Sequence, residues 1–379
     1  MKNNLLIAVI IIITCCHCVK GQTLYSVTKD GKSGYINEKG EVVIDLKYDY
    51  TDFEFNGHSA LVHENNGYYL INRKGEALFP ERYQEALPYS TGGYYVFGKE
   101  KKRWYYDTLG HKLFNFPLGI KSYPFLDGFA IVSRNDSIGI IDPAGHFIAL
   151  LYDELRNHGN GFIAFRKNDL WGLFDASAGK IRIQPEYTQI YQVKYHRAIV
   201  SKDKNKTEVR KWGVIGFDNS VIIPLKYDYI TNASRNTKSN LNNADSSYIA
   251  LSKNTFSLID FNGKEKFGLK VKMLYAFNEG FSVFEKNGKK GLIDINGTIR
   301  ILPEYDDMRG PNNGLVPVKQ NNKWGIINTS GKQIIPFMYD NLQVLDHLIA
   351  VFKNSNNNRT IYEIGYIKYD GQVVWPLTH

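Results

Sequence analysis

Short stretches of alternating apolar and polar residues run the length of the chain, separated by clusters of Gly, Asn, Asp and Lys. The segment from Phe277 to Asp306 shows the pattern in full. Gly280-Phe281-Ser282-Val283-Phe284 has the period of two that a strand requires. Asn287-Gly288 then supplies a tight turn, because this pair readily adopts positive φ. Gly291-Leu292-Ile293-Asp294 is the returning strand, and Asp294-Ile295-Asn296-Gly297 is a second turn in which Asp caps its own backbone and Gly takes the left-handed position. Thr298 to Leu302 alternates again, and Pro303 is expected to stop this third strand because proline cannot donate to a ladder. The pattern predicts a three-stranded antiparallel unit closed by the corner Pro303-Glu304-Tyr305-Asp306.

The same grammar recurs ten times. Anchored on the slot that holds Trp in Lys323-Trp324-Gly325-Ile326-Ile327-Asn328, the copies start at Ser33, Tyr68, Arg103, Ile138, Trp171, Trp212, Phe256, Lys290, Trp324 and Ile364, with spacings of 35, 35, 35, 33, 41, 44, 34, 34 and 40. Asn or Asp opens the second turn in eight copies, with Gly216 and Lys368 as the exceptions. Gly closes it everywhere except at Asn219, and Asn is the residue that best tolerates the left-handed region among those with a side chain. One such unit of about 25 residues buries too little to be stable alone, so neighbours must stack, with Trp171, Trp212 and Trp324 as pegs between them. The expected fold is all-β: a tandem array of three-stranded units forming an elongated or superhelical sheet. A closed β-propeller is the runner-up, since ten copies at irregular spacing argue against strict closure when propellers typically carry about 4–8 blades.

The ends modify this picture. Met1-Lys2 followed by the apolar run Leu5 to Ile13 reads as an export signal, too short for a spanning helix of about 20 residues. Cleavage after Val19-Lys20-Gly21 divides the chain into a leader, 1–21, and a repeat array, 22–379. The competing reading is a lipid anchor on Cys15, Cys16 or Cys18, although Thr14, Cys15 and His17 are poor residues to precede an anchored cysteine. All three cysteines lie in the leader, so the remainder has neither disulfides nor thiol chemistry. No second apolar run has membrane-spanning length. The expected location is outside the cytoplasm: periplasm, cell surface or secreted. The polar stretch Thr231 to Ser247 and the shorter Lys202 to Lys211 and Lys353 to Arg359 read as loops within the array.

The quoted motifs resemble the WG-repeat family of bacterial proteins, whose signature is Trp-Gly, an aliphatic residue, Asp or Asn, a Gly-Lys turn and a Pro-x-Tyr-Asp corner. The resemblance covers roughly Leu24 to His379. It weakens where the aromatic is missing, at Ser33, Arg103, Ile138, Lys290 and Ile364, and where Gly is replaced, at Tyr69, Trp104 and Ser257. It implies an exported β-repeat protein and transfers no catalytic residue, because the family motif contains none.

The formal charge of +9, or +7 without Lys2 and Lys20, is spread over turn lysines, so nucleic acid is not an expected partner. The nine histidines show no metal-ligand spacing, and His58 and His63 fall on opposite faces of one strand; no metal or cofactor is expected. Gly-x-Ser-x-Gly and Gly-x-Gly-x-x-Gly are absent. The corner acids Asp153, Asp228, Asp306 and Asp340 recur in register, which suits capping better than general acid or base work. Tyr68, Tyr94, Tyr95, Trp104 and Tyr106 cluster where the signature is weakest and are the candidate binding residues, as a stacking platform for sugars; cross-strand packing is the plainer account of them. The function expected is a non-enzymatic interaction module presenting an extended surface to a protein or polysaccharide. The alternative is a carbohydrate-active or other hydrolytic enzyme with a site in the loops.

Overall fold

The structure, a computed structural model, describes residues 22–90, 93–99, 102–117, 121–123, 125–134, 137–150, 152–202, 210–234, 246–354 and 362–378. The expected leader lies outside them, as do the centres of the three polar loops. Ten antiparallel sheets follow one another, each built from consecutive strands paired in chain order. They are the blades of a propeller, numbered here along the chain. Among the described residues eight blades have four strands, while the blades at 25–48 and 50–71 have three.

The fourth strand corrects the expected three-stranded unit. In blade 8 it is the two-residue piece Met273–Leu274, which pairs with Glu285 and Phe284 ahead of the predicted hairpin. Two residues are too few to show a periodicity. Pro303 is the second correction, because the outer strand runs through it, Ile299–Tyr305. Lys290 pairs with Tyr305 and Leu292 with Ile301, so Leu302, Pro303 and Glu304 bulge opposite Gly291 and the proline owes the ladder no hydrogen bond. The bulge also explains the glycine of the motif. A Cβ on Gly291 would lie 2.5 Å from the Ile301 carbonyl oxygen, and one on Gly325 would lie 2.7 Å from that of Ile335.

The second turns form as expected. Asp294 accepts the amides of Asn296 and Thr298 through Oδ1, and Asn219, the one substitute for glycine, sits at φ +65°. That turn is also half of the joint between blades. Gly75 rests on Ile44 of the preceding outer strand, Gly263 on Ile223 and Gly371 on Ile335. The other half is the corner. Tyr187 at the end of blade 5 donates to Asn219 Oδ1 in the turn of blade 6, at 2.7 Å. Asp306 at the end of blade 8 accepts Lys289 Nζ from the first hairpin of blade 8 through one oxygen and the Asn321 amide from that of blade 9 through the other, at 2.5 and 2.9 Å. Asp228 joins Lys211 to the Lys253 amide, and Asp340 joins Lys323 to the Asn354 amide, in the same way.

Apolar clusters fill the space between neighbouring sheets. Trp171 of blade 5 is buried with Ile190, Val193, Ala198, Val200 and Ile215 of blade 6, and Trp324 of blade 9 packs with Leu342, Ile349, Val351 and Ile367 of blade 10. These two rings are expected pegs, and the third, Trp212, is half-buried against a cluster that includes Ile230, Tyr248, Ala250 and Ile259 of blade 7.

The joint recurs between the last blade and the first, which corrects the elongated or superhelical array to a closed ring. Gly40 of blade 1 rests on Val374 of blade 10, as Gly75 rests on Ile44. The Tyr25 and Tyr366 rings lie 5.5 Å apart, tilted by 52°, the Tyr366 hydroxyl donates to the Ser26 carbonyl at 2.7 Å, and Tyr25, Val27, Ile36, Leu345, Leu348, Ala350 and Tyr366 share one cluster. The irregular spacings did not oppose closure because the polar insertions sit in loops, leaving the sheets alike.

Gly325→Ala is expected to cost about 1–3 kcal/mol, through the forced contact with the Ile335 carbonyl. Trp171→Ala, which leaves a cavity between blades, should cost about 3–5 kcal/mol. Denaturant midpoints for both variants check this, and a Gly325→Ala protein as stable as the parent would refute the close-approach account.

Candidate functional site

Inner strands converge on the ring axis, so residues they do not bury face the central space. In blades 6, 7 and 8 these strands are Gln189–Lys194, Tyr229–Asn232 and Met273–Leu274. Alternation sends Ile190, Ile230 and Leu274 into the blade contacts and leaves Tyr191, Tyr229 and Met273 exposed by 45%, 37% and 40%. The three strands line a groove of about 770 Å³, to which His158, Lys194, Ser234 and Tyr275 also contribute.

Packing fixes the groove's aromatic wall. The Tyr191 ring stands edge-on to Trp212 at 5.8 Å and lies 6.3 Å from Tyr229, tilted by 56°. In blades 5 and 9 the residue in the position of Tyr191 is an arginine. Arg156 lies 4.0 Å over Trp171 and donates to Gln189 Oε1, and Arg309 lies 4.1 Å over Trp324 and donates to Asn341 Oδ1. The Trp of the repeat thus props an inner-strand side chain, and in blade 6 that side chain is a ring rather than a guanidinium.

The polar wall is organised by Gln192. Its Oε1 accepts the Thr231 hydroxyl at 3.1 Å and the Asn232 backbone and side-chain amides at 3.0 Å each, tying blade 6 to blade 7. Its own amide nitrogen has no hydrogen-bond partner among the described residues. His158, from the loop after the inner strand of blade 5, closes one end. The ring is partly exposed, but its Nε2 is enclosed and has no partner among the described residues, an arrangement that costs about 1–3 kcal/mol. Desolvation, and then the nearby Arg156 charge, push its pKa down to about 4, so the imidazole is neutral at pH 7. Among the described residues Lys194 is the one fully charged side chain in the lining, and none of them contributes a carboxylate.

The acids are employed elsewhere. Hydrogen bonds from Lys211, Lys289 and Lys323 hold Asp228, Asp306 and Asp340 below the usual carboxylate range, as blade staples. No group of three or more His, Cys, Asp and Glu suited to a metal occurs among the described residues. The expected aromatic platform is not assembled. Tyr95 and Tyr106 each expose 1% of their surface, with Tyr106 bonded to the Tyr83 hydroxyl and Tyr95 to the Ser59 carbonyl, so neither offers a face to a ligand. Tyr94 is half-buried 4.6 Å from Phe125, Tyr68 packs against His63, and Trp104 lies beneath the Lys112 ammonium. Alternation was the right signal, but in a ring both faces of a sheet meet neighbours. The inner-strand residues escaped notice because their strands are short and precede the conspicuous hairpin.

The WG containing repeat model matches residues 34–68, 138–171, 171–205, 212–236, 291–324 and 324–346, and each of these windows begins at or beside the Trp slot of a blade. The chain belongs to the WG-repeat family. The blades anchored at Tyr68, Arg103, Phe256 and Ile364 head no match of their own, yet fold with the others. No curated protein sequence matches this WG-repeat chain. Among solved structures it is similar to that of a eukaryotic initiation factor, at 11% identity and a TM-score of 0.55, covering 93% of this chain and 94% of the other. It is also similar to apo AztD from Citrobacter koseri, at 12% identity and a TM-score of 0.36, covering 74% and 94%. The first likeness supports the propeller fold over nearly the whole chain.

His158 and the stapled acids set an expected acid response. His158 has a folded pKa below its unfolded value near 6.5, so the unfolded chain binds the proton more readily and stability falls as pH drops from about 6.5 to 4, by about 3 kcal/mol. The aspartates, also depressed on folding, add their loss below about pH 4. Thermal melts from pH 7 to 3 should show both phases, with the upper one reduced in His158→Gln; equal slopes for the two proteins would contradict it.

Proposed function

We propose that this WG-repeat propeller is an exported, non-enzymatic interaction module, and that its partner, a protein or a polysaccharide, docks in the groove across the inner strands of blades 6–8. The observation that carries this reading is a division of labour. The residues that recur in register, Trp, Gly, Tyr, Asp and Lys, are consumed by the joints between blades. The inner-strand positions that vary from blade to blade leave Tyr191, Tyr229 and Met273 facing the open groove. Ligand sites favour such a concave surface, apolar with a few placed polar groups.

The rival reading, a hydrolase with two catalytic carboxylates, calls for a facing pair about 5–10 Å apart. The described lining of the groove has none, and Asp228, Asp306 and Asp340 are each ion-paired with a lysine of their own blade and bonded to a backbone amide of the next.

Export rests on the leader, Met1-Lys2 with Leu5 to Ile13. The protein recovered from the envelope or the medium is expected to begin at Gln22; a lipid-modified Cys15, Cys16 or Cys18 at its start would replace cleavage by anchoring. For the groove, the test is recovery of partners from envelope fractions by the parent protein and by Tyr191→Ala/Tyr229→Ala. The variant should lose them. Equal recovery by both would remove the groove from the interaction.

A further inference from the structure

We infer that the occupant of the groove is a neutral carbohydrate chain, bound by stacking on Tyr191 and Tyr229 and by hydrogen bonds to the amides of Gln192 and Asn232. The inference rests on the groove reading above and narrows it to one chemical class.

Four observations favour a sugar. The two rings are exposed and tilted by 56° to each other at 6.3 Å, so successive units of a twisted chain can meet one ring each with their apolar C–H faces. Such a face needs an aromatic wall of this kind, which is apolar in its body and polar at its rim. The polar groups beside the rings are amides and a hydroxyl rather than ions. Gln192, Thr231 and Asn232 are bound to one another, and the Gln192 amide nitrogen is left over as a donor for a ligand oxygen. His158 completes the described lining with a ring that burial keeps neutral, so that end of the groove brings no charge to a ligand.

Charge is the fourth. With Lys194 as the sole full charge and no carboxylate among the described lining residues, nothing in them selects a basic partner, and one lysine at the margin is not the Arg cluster that acidic motifs use. A peptide is disfavoured for a geometric reason as well. An extended peptide docks by adding to a single sheet edge, whereas this groove crosses the inner edges of three separate sheets and so presents no continuous ladder.

The test uses the purified protein, a panel of neutral hexasaccharides (β-1,4-linked glucose, β-1,4-linked xylose and β-1,3-linked glucose), and a control panel of aromatic and proline-rich peptides, with binding followed by calorimetry. Tyr191→Ala, Tyr229→Ala and Gln192→Ala are compared with Tyr191→Phe, which keeps the stacking face, and each variant is first shown to melt as a folded protein. At least one hexasaccharide should bind, with affinity falling about tenfold on loss of either ring and holding in Tyr191→Phe. Sugar binding indifferent to both ring variants would overturn the site. Peptide binding that needs Tyr191 and Tyr229, with no sugar bound, would overturn the ligand class and leave the groove standing. If no panel member binds and envelope partners are recovered equally by the ring variants, both the ligand class and the groove reading fall.

Discussion

Everything in this molecule depends on the joint between one blade and the next. A single sheet of three or four short strands has two faces to cover and too little area to fold alone, so its stability comes from its neighbours. The sequence spends its most regular residues there. The turn glycine allows close approach to the preceding outer strand, the corner tyrosine bonds the following turn at Asn219, and the corner aspartate clamps the first hairpins of two consecutive blades together. The Lys that precedes Trp-Gly at 211 and 323 pairs with this aspartate, which accounts for its recurrence beside the tryptophan. Because each contact spans two blades, every blade carries half of two joints.

A joint repeated ten times fixes what is free to vary. Substitution at a turn glycine or a corner aspartate disturbs a contact on which two blades rely, while the exposed positions of the inner strands bear on little beyond their own tryptophan. Arg156, Tyr191 and Arg309 occupy one such position and meet the same kind of partner, yet they offer the central space a cation in blades 5 and 9 and a phenol in blade 6. The two arginines are turned into the ring itself through Gln189 and Asn341. Tyr191 has no such bond to its neighbour, and its ring stays exposed. The surface of the groove thus arises from a scaffold position that carries an aromatic ring in blade 6 and an arginine in blades 5 and 9.

The hairpin, both turns, the corner and the tryptophan pegs were legible because each is a short-range pattern with a local physical cause, such as positive φ at Gly297 or an Asx turn at Asp294. Ring closure was not. It is decided by the small rotation at each joint summed over the chain, and no residue encodes that sum; contacts between blades 1 and 10, such as that of Gly40 with Val374, reveal it. Strand continuation through Pro303 depended on a bulge opposite Gly291, a cross-strand relation invisible in either segment alone. The candidate site was misplaced for a similar reason. Tyr95 and Tyr106 belong to strands exposed on neither face once the blades stack, whereas Tyr191 and Tyr229 follow the corner at the inner rim, where stacking opens toward the axis.

Closure also sets where a binding site is best tolerated. Among the described residues blade 1 has no inner strand, and its edge at Ser26 is satisfied from outside, by the Phe53 carbonyl of blade 2 and the Tyr366 hydroxyl of blade 10. The seam between blades 10 and 1 is therefore bridged by side-chain packing and single hydrogen bonds instead of a strand passing from one blade into the other. The groove on blades 6–8 lies away from that seam, on an arc where the chain links each blade to the next. Its rings and amides are held by the Gln192 clamp and by Trp212. A preformed, rigid wall is what a stacking surface needs if ordering it on contact is not to consume the affinity.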